Sequence, residues 1–242
     1  MNAARGNPIL VALDVPTEHA ALKLAETLQG TVGGYKIGSQ LFTSVGPGIV
    51  RTFVERGDRV FLDLKFHDIP NTVAGSVAAA TALGVWMVNV HASGGPTMLA
   101  AARRAAGETA AARNTPRPLV VAVTVLTSMD HAALSAVGIQ ASPLDQVVRL
   151  ARIVQEAGLD GVVASPQETT AIREVCGPDF VIVTPGIRGG SAASGPDDQQ
   201  RTSTPAGAVA AGSSYLVIGR PITGAGDPRE AASRMAREAA PA

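Results

Sequence analysis

Apolar runs and stretches of helical spacing alternate along the whole chain. Ile9-Leu10-Val11-Ala12-Leu13-Asp14 predicts a buried strand that ends in a carboxylate, and residues 20–28 then carry a helical pattern. Tyr35-Lys36-Ile37-Gly38 predicts a second, very short strand, and the helical pattern over 41–56 is interrupted by Gly46-Pro47-Gly48. Val60-Phe61-Leu62-Asp63-Leu64-Lys65 predicts the third strand, with a small-residue helix over 71–83. Further strands are expected at 86–91, 119–126, 161–164, 180–184 and 215–218. Helices are expected at 96–106, 143–157, 166–175, 204–211 and 227–239, with polar connections at 109–118 and 189–203.

These are eight strands, each followed by a helix. The strands are apolar on both faces, as parallel strands covered outside and packed within must be. Regular βα alternation admits an open doubly wound sheet or a closed barrel. Eight units in 242 residues favour a (β/α)8 TIM barrel, which typically needs about 250. One domain, residues 1–242, is therefore expected. The polar residues favour closure too. Asp14, Lys36, Asp63, Lys65, Asp68, Thr127, Arg188 and Arg220 all sit at or just after strand ends, and a closed barrel brings those ends to one face.

Composition narrows the function. Apolar residues make up 46% of the chain but aromatics only 3%, so the core must be built from Val, Leu, Ile and Ala. Twenty basic residues balance 20 acidic ones, which gives no basic excess for nucleic acid and no polybasic run for a membrane. No apolar run approaches the roughly 18 residues of a membrane span. Residues 1–7 are polar and lead straight into a strand, which argues against a signal peptide. The one cysteine, Cys176, rules out an intrachain disulfide. A cytoplasmic protein acting on a small molecule is expected.

The candidate chemistry centres on the third strand. Strand alternation would point Asp63 and Lys65 the same way, about 7 Å apart along the chain direction. Asp68 follows the strand, and Lys36 ends the neighbouring one. These four charges are expected to crowd together, and the alternating signs would hold each group ionised. Lys65 then becomes a positioned acid. A solvated strand end, or an ion-pair network with a purely structural role, remains the plainer reading. A second group lies near the end of the chain. Gly186-Ile187-Arg188 follows the seventh strand and Gly219-Arg220 the eighth, where barrels often bind phosphate. Arginine offers phosphate a bidentate fork. There is no Walker loop, no dinucleotide fingerprint and no Ser-His-Asp pattern. His19, His67, His91 and His131 lack metal-ligand spacing; His91 is expected as a hydrogen-bonded wall residue, with His67 facing away.

Asp63-Leu64-Lys65-Phe66-His67-Asp68-Ile69-Pro70-Asn71-Thr72 closely resembles the signature of the orotidine 5′-phosphate decarboxylase family. The likeness extends, in the family's order, to Ala12-Leu13-Asp14, Lys36-Ile37-Gly38, Val90-His91-Ala92, Leu126-Thr127-Ser128, Thr184-Pro185-Gly186-Ile187-Arg188, Asp198-Gln199-Gln200-Arg201 and Gly219-Arg220-Pro221-Ile222-Thr223. It leaves out residues 129–142 and 189–197. The resemblance implies decarboxylation of orotidine 5′-phosphate to uridine 5′-phosphate without metal or organic cofactor, in a homodimer whose active sites are shared. It implies Lys65 as proton donor to pyrimidine C6, flanked by Asp63 and by Asp68 of the partner subunit. Lys36 would bridge between the carboxylates and the ribose. Asp14 and Thr72 of the partner subunit would bind ribose hydroxyls, and Thr127 would lie by the pyrimidine. Arg188, Gln199, Gly219 and Arg220 would hold the phosphate, with Gln200 as the register alternative to Gln199.

Two other readings use the same residues. Related barrels with Asp-x-Lys-x-x-Asp include sugar-phosphate decarboxylases and synthases that work through a metal-bound enediolate. They match Asp63, Lys65 and Asp68 but are not expected to carry the Ile69-Pro70-Asn71-Thr72 continuation together with Thr184-Pro185-Gly186-Ile187-Arg188. A nucleotide-binding barrel without activity would be expected to have lost part of the charge set.

Overall fold

The computed structural model describes residues 6–189 and 202–240. The strands are β1 (Ile9–Ala12), β2 (Gly34–Gly38), β3 (Val60–Phe66), β4 (Met87–His91), β5 (Leu119–Val123), β6 (Gly161–Val163), β7 (Val181–Thr184) and β8 (Tyr215–Ile218). They pair in chain order and all in parallel, and β1 closes on β8 through Leu10↔Val217. The result is the expected closed eight-stranded barrel with helices between the strands.

Alternation along each strand divides the apolar residues into two packed regions. Leu10, Phe61, Met87, Val121, Val183 and Tyr215 belong to the cluster that fills the barrel. Their neighbours Ile9, Val11, Leu62, Val88, Val120 and Leu216 join the larger cluster between strands and helices. Every side chain in these two sets is buried, which is why the strands read as unbroken apolar runs. Helix starts follow local chemistry. Pro70, Pro143, Pro205 and Pro228 each open a helix, where a missing N–H costs nothing. Thr17, Ser142 and Asp227 cap their helices by accepting a backbone N–H.

Three departures from the sequence reading have physical causes. Helix Gly95–Ala112 runs six residues beyond the expected end at 106, because its alanine-rich face continues to Ala110, which is buried. β5 stops at Val123 rather than 126: Thr124 still bonds to Val163, but the chain then turns over the barrel mouth. A short helix, His131–Ala136, forms within 129–142, capped by Asp130.

The β3–β4 ladder is irregular. Leu62 pairs with Val88, but the next pair is Phe66 with Val90. Four steps along β3 therefore match two along β4, and β3 bulges at residues 63–65.

Candidate active site

At the top of the barrel the inward positions stop being apolar. Lys36 on β2, Asp63 on β3 and Asn89 on β4 continue the alternation that places Phe61 and Met87 inside, and all three are buried. Buried polar groups must find partners. Lys36 Nζ lies 3.0 Å from Asp14 Oδ1 and 3.5 Å from Asp63 Oδ2. Lys65 Nζ donates to Asp63 Oδ1 at 2.7 Å, and Asn89 Nδ2 donates to the same oxygen at 2.7 Å. Burial alone would raise the Asp63 pKa, but Lys36, Lys65 and these two hydrogen bonds outweigh it and hold the carboxyl below the usual carboxylate range. The charges thus run Asp14, Lys36, Asp63, Lys65 with alternating sign.

Lys65 reaches Asp63 by an unexpected route. Its backbone is left-handed, with φ 53°, inside the bulge of β3. Such a conformation costs a non-glycine residue roughly 1–2 kcal/mol. Strain of this kind concentrates at functional sites.

These groups open onto one cavity of about 580 Å³ at the strand ends. Asp14, Lys36, Asp63 and Lys65 form its charged wall. Val123, Val125, Val163, Ala164 and Pro185 form an apolar wall, with Thr127 in the loop after β5. Gly186 and Arg188 after β7, with Gly219 and Arg220 after β8, also line it. Gly186 has φ 78°, a conformation that favours glycine. The Arg188 N–H donates to Ser203 O at 2.8 Å and the Ser203 N–H to Gly186 O at 3.1 Å, so the backbone beside Arg188 is fixed. Gly38 leaves room for the ion pair: a Cβ there would lie 2.8 Å from Lys36 Nζ, so the ammonium would have to shift.

Eight of the expected site residues therefore meet in one cavity: Asp14, Lys36, Asp63, Lys65, Thr127, Arg188, Gly219 and Arg220. Asp68 and Thr72 do not join them within one chain. Asp68 is exposed, with Oδ1 accepting the Ile69 N–H at 2.6 Å, and Thr72 lies on the exposed side of helix Pro70–Ala82. The expected crowding of four charges is met by Asp14 in place of Asp68, because the chain leaves the barrel mouth after Phe66. Gln199 and Gln200 lie outside the described residues. His91 is not part of the cavity lining; its ring stacks with His67 at 5.4 Å between centroids, so His67 turns toward it. Burial, then His67 and Lys65, lower the His91 pKa against an opposing pull from Asp63. Two site residues were missed in the sequence. Gln40 lines the cavity from the first turn after β2, and no local signal marks it. Asn89 did carry a signal, as a polar residue at an inward position of an otherwise apolar strand.

Residues 7–235 match the Orotidine 5'-phosphate decarboxylase / HUMPS family. The chain belongs to this family. An orotidine 5′-phosphate decarboxylase of Moorella thermoacetica is 58% identical over 231 residues, covering 95% of this chain and 91% of the relative. One from Pseudomonas putida is 52% identical, covering 96% of each. Among solved structures, an orotidine 5′-phosphate decarboxylase of Lactobacillus acidophilus superposes with a TM-score of 0.84 at 35% identity, over 96% of this chain and 99% of that one. Within this family, the named relatives point to the decarboxylase branch. Among the described residues no group of three or more His, Cys, Asp or Glu could hold a metal ion.

Proposed function

We propose that this chain decarboxylates orotidine 5′-phosphate to uridine 5′-phosphate and CO2, the last step of de novo pyrimidine nucleotide synthesis, as a carboxy-lyase. The observation that carries the reading is the Lys65 ammonium, held 2.7 Å from buried Asp63 in a cavity that two arginines also line. Loss of CO2 leaves an electron pair at pyrimidine C6. The ammonium stabilises that charge and then delivers its proton to the carbon. Two unit charges about 4 Å apart interact by about 4 kcal/mol at an effective dielectric near 20, so Lys65 alone supplies only part of a large acceleration. Binding energy from the remote phosphate must supply more, through positioning.

In this reading Asp63 orients Lys65, and Lys36 links Asp63 to the ribose beside Asp14. Thr127 borders the pyrimidine, and Arg188, Gln199, Gly219 and Arg220 bind the phosphate. Asp68 and Thr72 serve the cavity of a second copy, which makes the working enzyme a homodimer. Their exposure beyond the end of β3 supports this. The whole chain, 1–242, acts as one barrel domain in the cytoplasm, with neither nucleic acid nor membrane as partner; no helix among the described residues is long and apolar enough to cross a membrane.

The test is the fall in pyrimidine absorbance when orotidine 5′-phosphate is added to the purified protein in the presence of a chelator. Steady turnover is expected. Activity that disappears with chelator and returns with magnesium would instead favour the metal-dependent branch. Nucleotide binding without turnover would leave only a binding barrel.

A further inference from the structure

We infer that Asn89 is a positioning residue for the reaction: its side-chain amide fills the bulge in β3 and fixes the geometry of both Asp63 and Lys65. The inference rests on the decarboxylase reading above.

The bulge takes three residues of β3, Asp63 to Lys65, past the single residue Asn89 of β4. A regular ladder would satisfy the Lys65 N–H with a strand carbonyl. Here it donates to Asn89 Oδ1 at 2.8 Å. The other end of the same amide, Nδ2, donates to Asp63 Oδ1 at 2.7 Å. The amide orientation follows from chemistry: a backbone N–H only donates and an ionised carboxylate only accepts, so oxygen must face Lys65 and nitrogen Asp63. Asn89 is completely buried, so water does not substitute for either contact.

One side chain thus holds the Lys65 backbone in its left-handed turn and the Asp63 oxygen that receives the Lys65 ammonium. Root and tip of the lysine are fixed together. Alanine removes both bonds. Glutamine adds a methylene at a completely buried position and displaces the amide from both partners. Aspartate keeps the shape and the acceptor but loses the donor and sets a second carboxylate against Asp63. Asn89 is not part of the cavity lining, so it acts through Lys65 and Asp63 and not on the substrate.

The experiment compares kcat, KM and uridine 5′-monophosphate affinity for the wild type, Asn89→Ala and Asn89→Asp between pH 6 and 8. In Asn89→Ala, kcat should fall about ten- to a hundredfold, the range for losing a hydrogen bond to a charged group. KM and nucleotide affinity should stay within about threefold, because the phosphate-binding arginines are untouched. Asn89→Asp gives the readout that a merely structural role would not move. A carboxylate pair in contact keeps one proton to higher pH, and that proton restores the missing donor. The neighbouring charges are Asp63 and Lys65 on β3, Lys36 on β2 and His91 with its partner His67, while the register partner on β5 is the apolar Val121. The kcat deficit of Asn89→Asp should therefore shrink toward pH 6, and that of Asn89→Ala should not. Should Asn89→Ala fail to fold, the isosteric aspartate variant decides alone. Near-wild-type kcat at every pH, a pH-independent deficit in Asn89→Asp, or a loss expressed mainly in KM would each overturn the inference. Absence of turnover in the wild type would strike the function itself and is seen separately.

Discussion

Lys65 combines two properties that conflict locally. It carries the proposed acid, and it occupies a backbone conformation that suits glycine better. The two can be separated by substitution. Lys65→Ala should keep nucleotide binding yet retain less than about a thousandth of wild-type turnover, since general-acid catalysis is typically worth 10²–10⁴-fold and charge stabilisation is lost with it. Lys65→Gly should be equally inactive but more stable than Lys65→Ala by about 1 kcal/mol in thermal unfolding, because only glycine accepts this φ without penalty. Equal stability of the two variants would mean that the turn relaxes once the ammonium is gone. The sequence made Asp63 and Lys65 legible as a pair, through charges set into an apolar strand. It did not reveal the turn, because period-two alternation assumes a regular strand and the bulge breaks that period at this point. Asn89 stood out as a polar residue in an apolar strand, but its role did not, because its partners lie 24 and 26 residues away on another strand.

The elements that shape the cavity divide the work by chemistry. β2 and β3 supply alternating charge, and the loops after β7 and β8 each supply an arginine beside a glycine. Arg220 opens the short helix Arg220–Thr223, directly after Gly219. Arg220→Ala should weaken uridine 5′-monophosphate binding about ten- to a hundredfold, the effect of losing a charged hydrogen bond, while uridine affinity hardly changes. Titration calorimetry with both ligands checks this, and equal losses would remove the phosphate assignment. Element types were read correctly where periodicity was strong, and strand β8 matches to the residue. Boundaries failed where a propensity argument met packing. The β-branched run at 124–125 reads as strand, yet Thr124 makes the last bond to β6 and Val125 turns over the barrel mouth.

At the scale of the molecule, one chain holds an incomplete set of the residues the family likeness assigns to a site. Asp68 and Thr72 face outward, and Ile69 between them is 67% exposed. A two-fold dimer with shared sites would give all three a partner. Mixing inactive Lys65→Ala with inactive Asp68→Ala should then restore activity, because one site of each mixed dimer carries both lesions and the other neither. About half the full rate per mixed dimer is expected. No recovery after verified subunit exchange would place Asp68 in the service of its own chain. The barrel itself was legible from eight repeated units, since no other arrangement brings all the polar strand ends together. Its closure also sets an order in time. Leu10 and Val217 are register partners although about 200 residues of chain separate them, and Arg229 fastens helix Pro228–Glu238 to Thr27 O and Gln29 O at 3.0 Å each. At about 5–20 residues per second, roughly 200 intervening residues take on the order of 10–40 s. For that interval one edge of β1 waits unpaired, so the earliest of the eight barrel strands is the one most dependent on the nascent chain staying out of wrong company.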